Sequence, residues 1–136
     1  MSDLPNLGNV MDKIARMQKI SLEDVKVLET VVHKSRFVFK KGSSPRGAIY
    51  IGRGSKWGNP FKLKSHKDQD ERRKVVVEYQ NWLCDNWSEV DIAKELRNKA
   101  LECFCAPLLC HGHILSIVAN SDLRLVHSDK RESDED

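Results

Sequence analysis

The stretch Ala48–Phe61, AIYIGRGSKWGNPF, decides how the rest of the chain is read. Ala48 to Ile51 are apolar and bounded by turn residues, a pattern that predicts a short strand buried on both faces. The following ten residues hold Gly52, Gly54, Gly58 and Pro60. That composition excludes regular structure, so Gly52–Phe61 is a loop leaving the carboxyl end of the strand. Upstream, RFVFK (Arg36–Lys40) reads as another strand and KGSSPRG (Lys41–Gly47) as turn chemistry.

Downstream, Asp68 with Glu71 opens a helix as a capping box. Its apolar stripe is Val75, Val76, Tyr79, Trp82 and Leu83. Ser88 and Asp91 open a second helix, expected to bury Val90, Ala93 and Leu96. Leu101–Cys105 is predicted as a strand with Leu101, Cys103 and Cys105 on one face. The loop APLLC (Ala106–Cys110) then leads into a helix from about Gly112 to Asn120. Leu123–His127 is expected as a last strand. A strand, a helical crossover and another strand imply a parallel pair with a right-handed connection. The expected fold class is α/β, with a small mixed or parallel sheet flanked by helices.

Two segments flank this domain, which is placed at residues 34–128. In residues 1–33, Val10, Ile14 and Met17 recur at helical spacing. Ser21 with Asp24 begins a second helix, with Leu22, Val25 and Leu28 on one face. These residues are expected to form a peripheral helical N-terminal extension that meets the domain or a partner protein. Residues 129–136 are expected to be an acidic disordered tail.

At 136 residues the chain has the length of one domain. No apolar run is long enough to span a bilayer. The N-terminus lacks the basic and apolar blocks of a signal peptide. A soluble, cytoplasmic protein is expected, with no membrane partner. The net charge of +3 hides an asymmetry. Residues 34–74 carry thirteen Lys and Arg against three Asp and Glu, and the remainder is acidic. Such a segment points to an anionic partner: a nucleotide, a phosphate ligand or nucleic acid.

The Gly-rich loop suits that task. Gly52, Gly54 and Gly58 let backbone N–H groups turn toward an oxyanion. Arg53 can hold a phosphate through two parallel hydrogen bonds. Lys56 adds a point charge, Ser55 a hydroxyl, and Trp57 a ring to stack on a base. Asn59 can donate to and accept from a base edge. The competing reading is a tight connection in which Trp57 and Phe61 plug the core. If the strands ending at Ile51 and Cys105 are parallel, both following loops emerge at one sheet edge. They then form two walls of one cleft.

The second wall carries Cys103, Cys105, Cys110, His111 and His113. Three readings stand. Cys103, Cys105 and Cys110 with His111 or His113 can form a zinc site of the Cys3His type. Alternatively, Cys110 and His111 at a helix N-terminus can be a reactive thiol and a general acid or base. In the third reading the cysteines are small core residues and the histidines cap the helix. Cys84, on a helix beside Tyr79 and Trp82, reads as core.

AIYIGRGSKWGNPF, VVVEYQNWL and ELRNKALECFCAPLLCHGHIL, in that order, resemble a family of bacteriophages and some bacteria, domain-of-unknown-function family 4326. The resemblance runs from about Val38 to Ala119. It falls on Gly52, Arg53, Gly54, Gly58, Asn59, Pro60 and Phe61, and on Cys103, Cys105, Pro107, Cys110 and His111. It departs at Asn98, near which the family usually has Gly, and at Phe104, often Trp there. At His113 an acidic or small residue is common. The resemblance implies the fold span, the site and a phage-like origin. Two functions are expected to compete. One is a nucleotide- or nucleic-acid-directed protein, as an enzyme or as an accessory factor. The other is a non-enzymatic module that binds nucleic acid or a host protein and keeps its Cys/His cluster for structure.

Overall fold

The computed structural model describes residues 5–32, 35, 37–61, 64, 68–104 and 108–120. The expected strand at Leu123–His127, the acidic tail, Cys105, Lys62 and Lys67 lie outside these residues. Two helices come first, α1 (Leu7–Ala15) and α2 (Leu22–Glu29). Strands β1 (Val38–Lys40) and β2 (Ile49–Tyr50) follow, then helices α3 (Gln69–Asn86) and α4 (Glu89–Leu96). Strand β3 (Leu101–Cys103) and helix α5 (His111–Ala119) complete the order.

The three strands form one parallel sheet in the order β1-β3-β2. Leu101 is level with Val38 on one side and Ile49 on the other. The β2-to-β3 connection is the helical crossover that the sequence pattern requires. The β1-to-β2 connection is only residues 41–48, far shorter than most parallel links. It suffices because strands of two and three residues leave little distance to retrace. Glu102 holds this link in place. Its carboxylate accepts from the Ser44 hydroxyl and pairs with Lys41 at 3.8 Å. The Ser44 hydrogen bond, with help from Lys41, lowers the pKa of the Glu102 carboxyl.

The helix N-caps fall at the expected residues. Asp68 accepts from the Glu71 N–H at 3.1 Å, and Ser88 from Asp91 at 3.1 Å. Ser21 and Asp24 form a reciprocal capping box. Val90 and Leu22 were expected inward, but they are 61% and 43% exposed. Each lies in the first turn of an eight-residue helix, where two turns define the buried stripe poorly. Ile92 and Leu96 carry the burial of α4 instead.

Helix α5 is the centre of the molecule. Every residue from His111 to Ser116 is buried, as are Val118 and Ala119. It packs against α1, α3, α4, β1 and β3. A helix apolar on all sides belongs in an interior. The α1 and α2 residues Val10, Ile14, Val25 and Leu28 join the same core cluster. The N-terminal pair is therefore built into the core rather than peripheral. Polar ties reinforce it: Gln80 donates to the Gln18 carbonyl at 2.8 Å, and Arg73 pairs with Glu29 at 2.7 Å.

Close approach at the start of α5 requires Gly112. A Cβ there would sit 2.8 Å from Ile51 Cδ1 and 3.2 Å from Val38 Cγ1. Gly112→Val forces that contact and adds two further carbons. The expected loss is about 2 kcal/mol of unfolding free energy, a mid-range overpacking cost. Urea denaturation checks it, and an unchanged midpoint would contradict this packing.

Candidate functional site

The loop after β2 and the start of α5 meet in one cleft of about 630 Å³. Gly52 and Arg53 enter it from the end of β2, and Asn59 and Phe61 from the far end of the Gly-rich loop. Cys103 and Phe104 enter from the end of β3, and Leu109, Cys110 and His111 from the start of α5. Helix α3 supplies the remaining wall through Arg72, Val75 and Val76. The cleft thus sits at the carboxyl edge of a parallel sheet, where such sheets bind ligands.

The Gly-rich loop reaches this position through two turns. The N–H and hydroxyl of Ser55 both donate to the Gly52 carbonyl, at 3.1 and 2.7 Å. The Gly58 N–H donates to the Ser55 carbonyl at 3.0 Å. Gly54 has φ +93°, in the region that favours glycine. A Cβ on Gly58 would lie 2.7 Å from the Gly52 carbonyl oxygen, which backbone cannot yield. The amides of Ser55 and Gly58 are therefore spent within the loop, where an anion cradle was expected.

The expected loop ligands divide accordingly. Arg53 is exposed and lines the cleft. Asn59 also lines it, but its side chain is engaged. Its Nδ2 donates to the Val75 carbonyl at 3.3 Å and its Oδ1 accepts from the Phe61 N–H at 2.8 Å. Asn59 thus fastens the loop to α3. Gly54, Ser55 and Lys56 are not among the cleft-lining residues. Lys56 pairs with Glu95 and lies over the Trp57 and Trp87 rings at 5.2 and 5.3 Å.

Trp57 corrects the stacking expectation. It is 2% exposed, and its ring centroid lies 4.7 Å from that of Trp87. Its carbonyl accepts from the buried Tyr79 hydroxyl at 2.7 Å. Burial, with the nearby Cys110, pushes the Tyr79 phenol well above its ordinary range, so it stays a donor. Trp57 is core.

The Cys/His wall is tightly organised. His111 Nε2 lies 2.7 Å from the Ile51 carbonyl oxygen, an acceptor only, so this nitrogen carries the proton. The contact joins the end of β2 to the start of α5. Burial lowers the pKa of His111 although the Ile51 carbonyl opposes it, and the ring is neutral with Nδ1 as acceptor. His113, three residues past the N-cap Cys110, accepts the Cys110 N–H at Nδ1, 3.1 Å. Burial lowers its pKa to about 4. His113 does not line the cleft. It borders a separate cavity of about 320 Å³ beside Leu28, Val32 and Ile117.

The Cys103 and Cys110 sulfurs are 3.1 Å apart and both cysteines are free thiols. Among the described residues, no three His, Cys, Asp or Glu side chains are arranged to hold a metal. Of the expected zinc ligands Cys103, Cys105, Cys110 and His111, Cys105 falls outside those residues. Cys84 is half-buried on α3, and burial raises its thiol pKa.

Arg72 was not anticipated. Its side chain is 5% exposed, lines the cleft, and places Nη1 3.5 Å from the Leu109 carbonyl. The signal was present: position 72 lies one turn before Val75 and Val76 on the buried stripe of α3. No helix among the described residues is long and apolar enough to cross a membrane.

Fold and site together define a small α/β domain with an arginine-lined cleft at the carboxyl edge of a parallel sheet. Residues 35–121 match the family described as Domain of unknown function (DUF4326), and the chain belongs to that family. The match covers both walls of the cleft and leaves α1 and α2 outside it. Asn98, near which a family glycine was expected, has φ +60°, a conformation that glycine and asparagine tolerate best. Searches of curated proteins and of solved structures return no match.

Proposed function

We propose that the cleft binds a small phosphate-bearing ligand, such as a nucleotide, through Arg53 and Arg72. One observation carries this reading: the described lining residues include two arginines and no carboxylate. A volume of about 630 Å³ falls within the range of small-molecule sites. Guanidinium groups match phosphate oxygens through paired N–H donors. Phe61, Val75, Val76 and Leu109 offer an apolar wall for the organic part of the ligand. Concavity and the burial of Trp57 favour a small molecule over a nucleic-acid strand, which needs exposed stacking platforms. Cys103 and Cys110 are the only nucleophilic side chains among the described lining residues, and neutral His111 is the one histidine among them.

Isothermal titration with inorganic phosphate and with a nucleoside triphosphate tests the reading. Arg53→Gln should weaken triphosphate binding by roughly tenfold to a hundredfold, the worth of one charge-assisted hydrogen-bonding partner. Arg53 is exposed, so the variant should keep the wild-type circular dichroism. Arg72→Gln should weaken it at least as much. Unchanged affinity in Arg53→Gln, or no binding of either probe to the wild type, would overturn the assignment.

A further inference from the structure

We propose that Cys103 and Cys110 form a dithiol–disulfide couple in the wall of the cleft, oxidised by a small disulfide of the glutathione type. The proposal does not depend on phosphate binding. Cys103 is the last residue of β3 and Cys110 caps the start of α5, so two separate elements bring the sulfurs together. Their separation of 3.1 Å leaves about 1 Å to close to a bond of ~2.05 Å. The side chains are 1% and 3% exposed, yet both residues line the cleft. Both therefore border the cleft rather than the outer surface, so the proposed oxidant is a small molecule that enters it.

The position favours Cys110 as the attacking thiol. As N-cap of α5 it stands at the positive end of the helix, which stabilises a thiolate. Cys110 loses its proton to solvent and attacks one sulfur of glutathione disulfide. A bond forms between Cys110 and that sulfur, the glutathione disulfide bond breaks, and one glutathione leaves as thiolate and is protonated. Cys103, deprotonated in turn, attacks the Cys110 sulfur and displaces the second glutathione. Two protein thiols become one disulfide, and one glutathione disulfide becomes two glutathione thiols. The new bond ties β3 to α5 across the segment that carries Phe104 and Leu109. Both of these residues line the cleft, so the redox state bears on its shape.

The test uses the full-length wild type. Purified reduced protein is incubated with glutathione disulfide, unfolded in urea, alkylated with iodoacetamide, digested with chymotrypsin and mapped by mass spectrometry. The expected result is alkylation at Cys84 and Cys105, none at Cys103 or Cys110, and a disulfide linking those two. Dithiothreitol should restore both sites. Cys105→Ser should give the same linked pair, and Cys103→Ser should stop at a glutathione adduct on Cys110. No reaction, a disulfide that includes Cys105, or a stable glutathione adduct on the wild type would overturn the proposal. So would stoichiometric zinc released from the purified protein only when Cys103 and Cys110 are alkylated.

Discussion

Between pH 7 and pH 4.5 the protein should lose about 3 kcal/mol of folding stability, and His113 should account for most of the loss. The ring is 3% exposed, and its pKa is lowered to about 4 from an ordinary value of 6.5. Burial is the main cause; the Cys110 backbone opposes it and His111 adds to it. Nδ1 is occupied as an acceptor by the Cys110 N–H, and Nε2 has no hydrogen-bond partner among the described residues. A second proton therefore breaks a helix cap and charges a buried ring. The unfolded chain binds protons through the window between 6.5 and about 4 while the folded chain does not. Stability is then fully present above 6.5 and falls as the pH drops toward 4. His111, whose pKa burial also lowers, acts in the same direction. Asp24 contributes below this window. Burial raises its pKa, but the Ser21 amide and Lys13 outweigh that and leave it below 3.8. Urea denaturation at pH 7 and 4.5 measures the loss. His113→Gln keeps an acceptor for the Cys110 N–H without a titrating group, and should flatten most of the pH dependence. A wild type equally stable at both values would refute this account of α5.

The order of elements was readable because it depends on patterns a few residues long. AIYI before a glycine loop, and LEC before a loop and helix, imply two strands joined by a crossover. Parallel strands in turn place both following loops at one edge. The cleft contains residues from both walls, as that reasoning requires. Contacts between distant segments were not readable. Nothing near Trp57 signals that Trp87 closes over it. A loop has no period to reveal which side chains turn inward, so its tryptophan read as a ligand platform, with the core plug as the competing reading. Arg72 is the opposite case: helical period alone placed it on the buried stripe, but a charged residue at the helix start reads as solvated. The nearness of Cys103 to Cys110 is likewise tertiary. Strand alternation predicts that Cys103 shares a face with Leu101, yet only the return of α5 onto the sheet brings Cys110 beside it.

Replacing Trp57 by alanine should cost about 3–5 kcal/mol of stability, the usual range for deleting a buried large aromatic side chain. The side chain is 2% exposed and its indole packs on Trp87. Losing it opens a cavity between the Gly-rich loop and the segment joining α3 to α4. The Tyr79 hydroxyl still finds the residue 57 carbonyl, because that bond is to backbone, 2.7 Å in the wild type. The loop therefore keeps one anchor, and the cleft, which Trp57 does not line, keeps its arginines. Two measurements separate this role from ligand stacking. In the core role, thermal or urea unfolding shifts strongly, Trp57→Phe recovers much of the loss, and phosphate-ligand affinity of the folded fraction at low temperature stays close to wild type. In a stacking role the pattern inverts: stability barely changes and affinity collapses. The geometry commits to the first pattern. The Gly-rich loop turns Trp57 into the core, uses the Ser55 and Gly58 amides for its own turns, and leaves Arg53 exposed in the lining of the cleft that the buried start of α5 also lines.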